Sequence, residues 1–277
     1  MNSKQTISEA NRRLLGLAVN AYYDCQAIRK ASMNRLRAIV MSKLEGRIYT
    51  DREIMNILRE GMHSMFSDEE REYIAEQLDL YTLSRSIEQS RRKALIRLIR
   101  DEPIWSDFLE GVKGISAILC ASLLKEFGYC ETYRQISSLW RISGLHVING
   151  KAPKRERGVK LDWNPRLRVL AWRIGDSMIK QRTPYYRDIY DLEKERQCYL
   201  MRTKAENAPK NKLHADLRAR RKMVKIFLAH YWYVCRKIKG LETRPPYVQE
   251  KLGHKHIVMP SFNEETGMWE LPSSYSG

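Results

Sequence analysis

The amino-acid sequence predicts an all-α protein, in which an N-terminal helical hairpin or coiled region precedes a compact helical domain that contains a helix-hairpin-helix. Apolar residues recur at three- and four-residue steps over long stretches without proline. Two stretches have the Thr/Ser-x-x-Glu spacing of a capping box, and an Asn-Pro pair is placed to open a further helix. We expect the helical region at 1–100, the helix-hairpin-helix domain at 101–240 and an irregular tail at 241–277.

The N-terminal region is expected to hold three helices. Residues 7–45 form the first, because one apolar stripe runs through them: Leu14, Leu15, Ala18, Val19, Tyr22, Leu36, Ile39, Val40 and Leu44. The capping boxes "TDRE" and "SDEE" then open helices at 51–65 and 68–100. The last of these becomes basic toward its C-terminus, which suits the helix dipole and needs no ligand.

A short apolar turn begins the second half of the chain. In "GVKGISAILCASLLKEFGY", Val112, Lys113, Gly114 and Ile115 read apolar, any, glycine, apolar, and an apolar helix follows that Gly128 closes. Glycine allows a tight bend and a close approach, and the next helix presents free N–H groups to a phosphate. The alternative is an ordinary helix–turn–helix corner whose apolar residues form core.

The rest of the chain is also expected to be helical up to the tail. We expect helices at 132–142, from 165, from 184 and from 213 to about 239. The segment "INGKAPKRERGVKLDW" reads as a loop or a short hairpin. Beyond Leu241 the prolines and the lack of a period predict an extended strap.

The charge balance points to a polyanionic partner. The chain of 277 residues has 50 Lys and Arg against 33 Asp and Glu, a net charge of +17, and 43% hydrophobic residues, enough for a real core. It has no apolar run of membrane-spanning length and no signal-peptide pattern at its N-terminus. We therefore expect a cytoplasmic protein, associated with the nucleoid of a prokaryote.

Metal binding is not expected. The cysteines, read as reduced and mostly buried, are scattered: Cys25, Cys120, Cys130, Cys198 and Cys235. The pair His254 and His256 has no partner at zinc-finger spacing and is read as solvated or facing nucleic acid. The acidic set Asp24, Glu45, Asp51 and Glu53 lies on or beside amphipathic helices, without the strands that would present it to a metal.

Dense positive charge accompanies the glycine turn in the same half of the chain. "GKAPKRERGVK" and "RARRKMVK" are the richest runs, although such runs are usually solvated faces. The residues predicted to contact nucleic acid are Lys113, Gly114, Lys125, Lys151, Lys154, Arg155, Arg157, Lys160, Arg166, Arg168, Arg220, Arg221 and Lys222. The aromatics Trp163, Trp172, Tyr185 and Tyr186 are candidates either for base stacking or for core packing.

From about 95 to 240 the chain resembles a known family through the order and spacing of several segments. These are "GVKGISAILCASLLKEFG", "ISSLWRISGL", "NGKAPKRERGVKLDWNPRLRVL", "PYYRDIYDLEK" and "ARRKMVKIFLAHYWYVCR". They are similar to the C-terminal transposase domain of the Piv-like insertion-sequence transposases of the IS-one-ten, IS-one-sixteen and IS-nine-hundred-two group, which includes bridge-RNA-guided recombinases. The resemblance implies a role with mobile DNA or in DNA recombination.

The chain departs from that family in two places. Active members carry a RuvC-like domain with acidic metal ligands, for which the helical first hundred residues leave no room. They also use a serine nucleophile, and the resemblance puts Asn149 at its position. An amide cannot form the phosphodiester exchange intermediate that a hydroxyl forms. Ser137, Ser138 and Ser143 precede the matching segment, and Ser143 is left as a weak catalytic candidate.

Three functions follow as hypotheses. The first is a protein that binds DNA, or structured RNA, through its phosphates without cutting it and without a cofactor. The second is a strand-transfer or recombinase subunit that uses Ser143 and would need Mg²⁺. The third is a structural DNA-coating protein, with a homodimer seam along Tyr22, Ile28, Leu36 and Ile39, a stripe that an intramolecular core would explain equally.

Overall fold

The computed structural model describes residues 7–44, 49–61, 64–148, 150–243 and 258–275, and this part of the chain is mostly helical. The predicted all-α class is confirmed. The described residues divide into two compact units, one formed by Arg13–Leu98 and a larger main unit formed by Met1–Arg12 together with Ile99–Gly277. Each unit has its own core and is described separately.

The helices of the N-terminal unit begin where local chemistry satisfies their first amides. They are α1 (Glu9–Lys43), α2 (Asp51–Gly61) and α3 (Asp68–Ile99). At α2, the backbone N–H of Thr50 donates to Glu53 at 2.8 Å, and the N–H of Glu53 donates to the Thr50 hydroxyl at 3.3 Å. Ser67 and Glu70 form the same reciprocal pair before α3. Both predicted capping boxes are present, and α2 ends earlier than the predicted residue 65.

The core of the N-terminal unit is built from all three helices. Its buried members are Met33, Leu36, Val40, Ile54, Leu58, Phe66, Ile74 and Tyr81. Of the stripe proposed as a dimer seam, Leu36 lies in this core and Ile39 packs against it, whereas Ile28 is exposed. This placement favours the intramolecular explanation of the stripe.

One ion pair links α1 and α3 beside that core. Arg29 Nε donates to Glu88 at 2.5 Å, and Gln26 Nε2 donates to the other oxygen of the carboxylate at 3.0 Å. Burial raises the pKa of Glu88, but the hydrogen bonds from Arg29 and Gln26 outweigh it and hold the pKa below its ordinary value. The pair therefore stays charged at neutral pH and holds the two helices in register.

The main unit is organised around one long buried helix. Its elements are α4 (Pro103–Ser106), a 3₁₀ turn (Leu109–Gly111), α5 (Ala117–Phe127), α6 (Ile136–Ile142), α7 (Pro165–Gln181), α8 (Tyr186–Arg202), α9 (Lys212–Ile238), β1 (Ser261–Asn263) and β2 (Met268–Glu270). Helices α4, α6, α7 and α8 all pack on α9. Three of its large aromatic side chains, Phe227, Tyr231 and Trp232, are fully buried.

Three buried rings of α9 form hydrogen bonds to neighbouring segments. Tyr231 donates to the Gly128 carbonyl at 2.7 Å, and Trp232 Nε1 donates to the Tyr133 carbonyl at 2.7 Å. His230 Nδ1 lies 2.8 Å from the Tyr186 hydroxyl, and burial lowers the pKa of His230 to about 3. The imidazole is therefore neutral at physiological pH and packs as part of the hydrophobic core.

Residues 258–275, the described end of the tail, contain a β-hairpin where the sequence predicts an irregular strap. Strands β1 and β2 pair antiparallel, with Phe262 opposite Trp269. The turn between them forms because Asn263 Oδ1 accepts the N–H groups of Glu265 and Thr266. The Trp269 N–H donates to the carbonyl of Asp107 at 2.7 Å, so the hairpin is fixed to the main unit. Such a short hairpin has too few residues for a visible sequence period.

The cysteines are reduced in this structure. Cys120, Cys130 and Cys235 are buried, and Cys25 and Cys198 are half-buried. Burial raises the pKa of the Cys120 and Cys235 thiols, so neither is an activated nucleophile. Within the described residues, no helix is both long and apolar enough to cross a bilayer.

Truncating Leu36 to alanine is expected to destabilise the N-terminal unit by about 2–5 kcal/mol, because the methyl groups removed are completely buried and leave a cavity. Urea unfolding followed by circular dichroism measures this. Leu17→Ala, on the same helix but 68% exposed, is the control and is expected to change stability by less than about 0.5 kcal/mol. Equal effects of the two substitutions would contradict the assigned core.

Candidate nucleic-acid interface

The glycine turn singled out in the sequence is a tight bend that leads into α5. Val112 is extended, Gly114 has a φ of 90°, and the Ile115 N–H donates to the Val112 carbonyl at 3.0 Å. Ser116 then caps α5, because its hydroxyl accepts the Leu119 N–H at 3.3 Å. The side chains of Lys113 and Ser116 are exposed beside the bend. The positive end of α5 therefore faces solvent next to a lysine.

The other side of the bend is fixed to the C-terminus of α7. Ser177 Oγ donates to the Gly114 carbonyl, and Thr183 Oγ1 donates to the Lys113 carbonyl, each at 2.6 Å. A Cβ on Gly114 would lie 3.0 Å from Thr183 Oγ1 and 3.3 Å from Gln181 Cβ. Glycine is thus required here both by the backbone angle and by the space available.

The helix-hairpin-helix stays a prediction. The element before the bend is a three-residue 3₁₀ turn, Leu109–Gly111, preceded by the single-turn α4. Only α5 on the far side is a regular helix of eleven residues. The apolar residues that follow the turn, including Ile115, Ile118 and Leu119, are buried as the corner alternative requires.

The basic segment after α6 is an exposed loop. It starts at a small bridge between Ile148 and Lys151, and the side chains of its cations are exposed: Lys151, Lys154, Arg155, Arg157 and Lys160. Within the described chain these side chains make no ion pair or hydrogen bond. Their charge is therefore available to an external anion.

Two groups of contacts hold this loop in place. Arg168 Nη1, from α7, donates to the Pro153 carbonyl at 2.7 Å, and its guanidinium lies 4.8 Å from the centre of the Trp163 ring. At the base of the loop, Asp162 lies 3.2 Å from Arg141 and 3.3 Å from His146. The loop is thus anchored at both its middle and its base.

Arg221 and Lys225, one turn apart on α9, are surrounded by positive charge. Burial lowers the pKa of Arg221, and the charges of Arg218 and Arg168 lower it further. Burial lowers the pKa of Lys225 to about 8, with a further contribution from Arg221. In the described part of the chain, no carboxylate appears among the charges that act on either group.

Other predicted contact residues are neutralised by the chain itself. Arg220 lies 3.4 Å from Asp176 and 3.7 Å from Asp216, and Lys222 lies 2.9 Å from the buried carboxylate of Glu193. Lys125 lies 3.0 Å from Glu126. These three cations are therefore not available to an external phosphate in the way the loop cations are, because local carboxylates compete for them.

The four candidate stacking aromatics separate in the fold. Tyr185 and Tyr186 are buried in the core of the main unit, with ring centres 5.5 Å apart. Trp163 is half-buried under Arg168, and Trp172 is 51% exposed with Arg220 5.3 Å from its ring centre. Only the two tryptophans remain candidates for contact with a base.

The candidate nucleophile is not accessible. Ser143 ends α6 and its side chain is completely buried, so its hydroxyl cannot reach a phosphodiester in this conformation. Ser137 and Ser138 are exposed on α6. Asn149, assigned to the family serine position, lies outside the described residues, as do Glu45, His254 and His256.

The remaining acidic candidates have structural partners or stand alone. Asp51 forms an ion pair with Arg37, Glu53 belongs to the capping box, and Asp24 is exposed on α1. Among the described residues no group of three potential metal ligands comes together.

The residues predicted from the sequence to contact nucleic acid did not include Lys225 and Arg218. Both lie on α9, where Arg218, Arg221 and Lys225 are spaced by three and four residues and so share one helix face. That spacing was readable in the sequence. The absence of a carboxylate near these residues could not be read from the sequence, because it depends on how α7 and α6 pack against this face.

No family model, curated protein or solved structure matches this chain. The interpretation of the site therefore rests on the geometry and charge of its own residues.

Replacing Gly114 by alanine is expected to destabilise the main unit by about 1–3 kcal/mol, because a Cβ disfavours positive φ and would crowd Thr183 Oγ1. Thermal or urea unfolding measures the change. Gly111→Ala is the matched control, since a Cβ there meets nothing within 4 Å, and is expected to change stability by less than about 0.5 kcal/mol. Full stability of Gly114→Ala would show that the bend tolerates a side chain.

Proposed function

We propose that this protein binds nucleic acid, duplex DNA in the first place, through its phosphate backbone and without cutting it. The observation that carries the proposal is the exposed and anchored basic loop, whose cations have no intramolecular ion pair in the described chain. Surface cations repel one another unless an anion neutralises them, and a polyanion neutralises several at once. The loop is thus suited to a phosphate chain more than to a small anion.

The unpaired cations define the expected strength of this contact. Seven predicted residues are exposed and lack a described ion-pair partner: Lys113, Lys151, Lys154, Arg155, Arg157, Lys160 and Arg166. Each phosphate neutralised on B-DNA contributes roughly 0.9 to the slope of log affinity against log salt. If all seven contact phosphates, the slope is about −6, and binding depends little on base sequence.

The relation to insertion-sequence transposases is part of the proposal. Its support is the resemblance over residues 95 to 240, which implies a role with mobile DNA. Two features favour binding without chemistry: the resemblance puts asparagine at the position of the family nucleophile, and the nearby Ser143 is completely buried. The protein would then hold DNA for another factor, or protect it.

Reversing two loop charges, Arg155→Glu with Arg157→Glu, is expected to weaken duplex binding about 10- to 100-fold and to make the salt slope shallower by about 2. Both side chains are exposed, so the fold is expected to stay intact. Gel shift or fluorescence anisotropy across a salt series measures the effect, and circular dichroism checks the helices.

The matched control for that variant is Arg91→Glu with Lys93→Glu on α3. It makes the same change in net charge at two exposed positions of the N-terminal unit. We expect a loss of less than about threefold from long-range electrostatics alone. If both double variants lose affinity equally, binding follows total charge and the loop is not the contact surface.

Supercoiled DNA incubated with the protein and Mg²⁺ is expected to stay intact and to form no covalent adduct, because the resemblance puts asparagine at the position of the family serine and Ser143 is buried. Agarose gels after protease treatment measure nicking. Nicking that disappears in Ser143→Ala would instead establish the strand-transfer alternative.

A further inference from the structure

Lys225 is held in a defined position at the contact between α6 and α9. Its Nζ lies 4.2 Å from the centre of the Trp140 ring, and Trp140 Nε1 donates to the Lys225 carbonyl at 2.9 Å. The indole therefore contacts both the ammonium group and the backbone of the same residue. A lysine held in this way has lost much of its side-chain freedom before any ligand arrives.

Several elements contribute charges near Lys225. The charges that act on Lys225 or on its neighbour Arg221 are all positive. On α9 itself, Arg221 acts on Lys225, and Arg218 acts on Arg221. From α7, Arg168 also acts on Arg221. From α6 the group that faces Lys225 is the neutral Trp140 ring, while Arg141 at its end is paired with Asp162.

The other cations of these segments have local acceptors. Arg218 donates to the Gln197 side chain at 3.0 Å and to the Asn207 carbonyl at 2.6 Å. Arg168 donates to Pro153. For the guanidinium of Arg221 and the ammonium of Lys225, no hydrogen bond or ion pair exists within the described residues. Half-buried cations without an anion are costly, so an anion from outside would stabilise this arrangement.

Within the described residues, carboxylates are lacking around Arg221 and Lys225 on α9, but not around Arg220, the neighbouring residue in the sequence. Its guanidinium reaches two carboxylates, Asp176 on α7 and Asp216 on α9. Among the described residues, carboxylates thus surround Arg220, whereas the charges that act on Arg221 are those of Arg168 and Arg218. Arg168 is also the residue that contacts the basic loop, through the Pro153 carbonyl.

We propose that Arg221 and Lys225, with Arg168 beside Arg221 and the Trp140 ring as one wall, form a subsite for a single backbone phosphate of DNA. The subsite rests on the proposed function, because the basic loop brings the phosphate chain to it. It differs from the loop in being half-buried, so its contact with phosphate is less screened by salt. It gives the bound strand one fixed point, whereas the loop supplies diffuse attraction.

The subsite has a pH signature. The pKa of Lys225 is about 8 in the free protein, and an anion bound beside the ammonium group raises it. Below about pH 8 the lysine is protonated in both states, and affinity is at its maximum. Above about pH 8 binding must take up a proton, so affinity falls as pH rises, by up to about tenfold per pH unit until the pKa of the complex is reached.

The test measures the affinity of the full chain for a DNA duplex of about 20 base pairs by fluorescence anisotropy. The pH is varied between about 7 and about 9.5, a range in which ordinary lysines stay protonated. Lys225→Met is expected to bind about tenfold more weakly at pH 7 and to lose the fall above about pH 8. Lys225→Arg is expected to keep the affinity and to lose the pH dependence, because arginine stays charged.

Lys237→Met is the matched control. Lys237 also lies on α9 above an aromatic ring, with its Nζ 5.5 Å from the centre of Tyr233, but it is exposed and remote in sequence from Arg221. We expect this variant to bind as the parent chain does and to keep the pH dependence. Circular dichroism of all three variants confirms that the helices are intact.

The outcomes separate the subsite from the proposed function. If the parent chain binds the duplex and Lys225→Met keeps both its affinity and its pH dependence, the subsite is wrong and the basic loop remains the interface. If the parent chain does not bind duplex DNA at all, the proposed function fails and the subsite fails with it. Binding of an RNA hairpin with the same dependence on Lys225, in place of the duplex, would overturn the assignment to DNA.

Discussion

The burial of α9 is the constraint on which the main unit depends. The helix packs against α6, α7 and α8, and its Tyr231 and Trp232 donate to backbone carbonyls of the segment after α5. Burying such large side chains supplies much of the hydrophobic stabilisation, and their polar ends specify one arrangement of the surrounding helices. The same helix places Arg221 and Lys225 beside Trp140, so the cationic surface is set by the packing of the core.

The distribution of carboxylates explains how a strongly basic protein can be both stable and ready to bind. At the α7–α9 and α8–α9 contacts, the carboxylates of Asp176 and Glu193 neutralise Arg220 and Lys222. On the loop and the adjoining face of α9, acids are few, and Arg168 and Lys225 are held by a backbone carbonyl and by tryptophan rings instead. Anchors of this kind hold a cation in place while its charge remains available to an external anion.

Prediction from the sequence succeeded where the determining contacts are local. The capping boxes at Thr50 and Ser67 involve residues three apart, and the periodicity of α9 repeats over seven turns, so both are visible without a structure. The tail hairpin was missed because its pairing is stabilised by distant partners, the carbonyl of Asp107 and the ring of Tyr233. Lys225 was missed because its character depends on Trp140, which is 85 residues away in sequence.

By itself the sequence determined the helical class, the helix starts at the two capping boxes and at the Asn-Pro pair, and the excess of positive charge, since these follow from short-range spacing and from composition. Tertiary structure decided which cations are paired. Lys222 and Lys225 are three residues apart and look alike in the sequence, yet one faces the carboxylate of Glu193 and the other a tryptophan ring. Three residues advance about 300° around a helix, so the two side chains point only about 60° apart, and the packing of α8 and α6 determines which group each one meets.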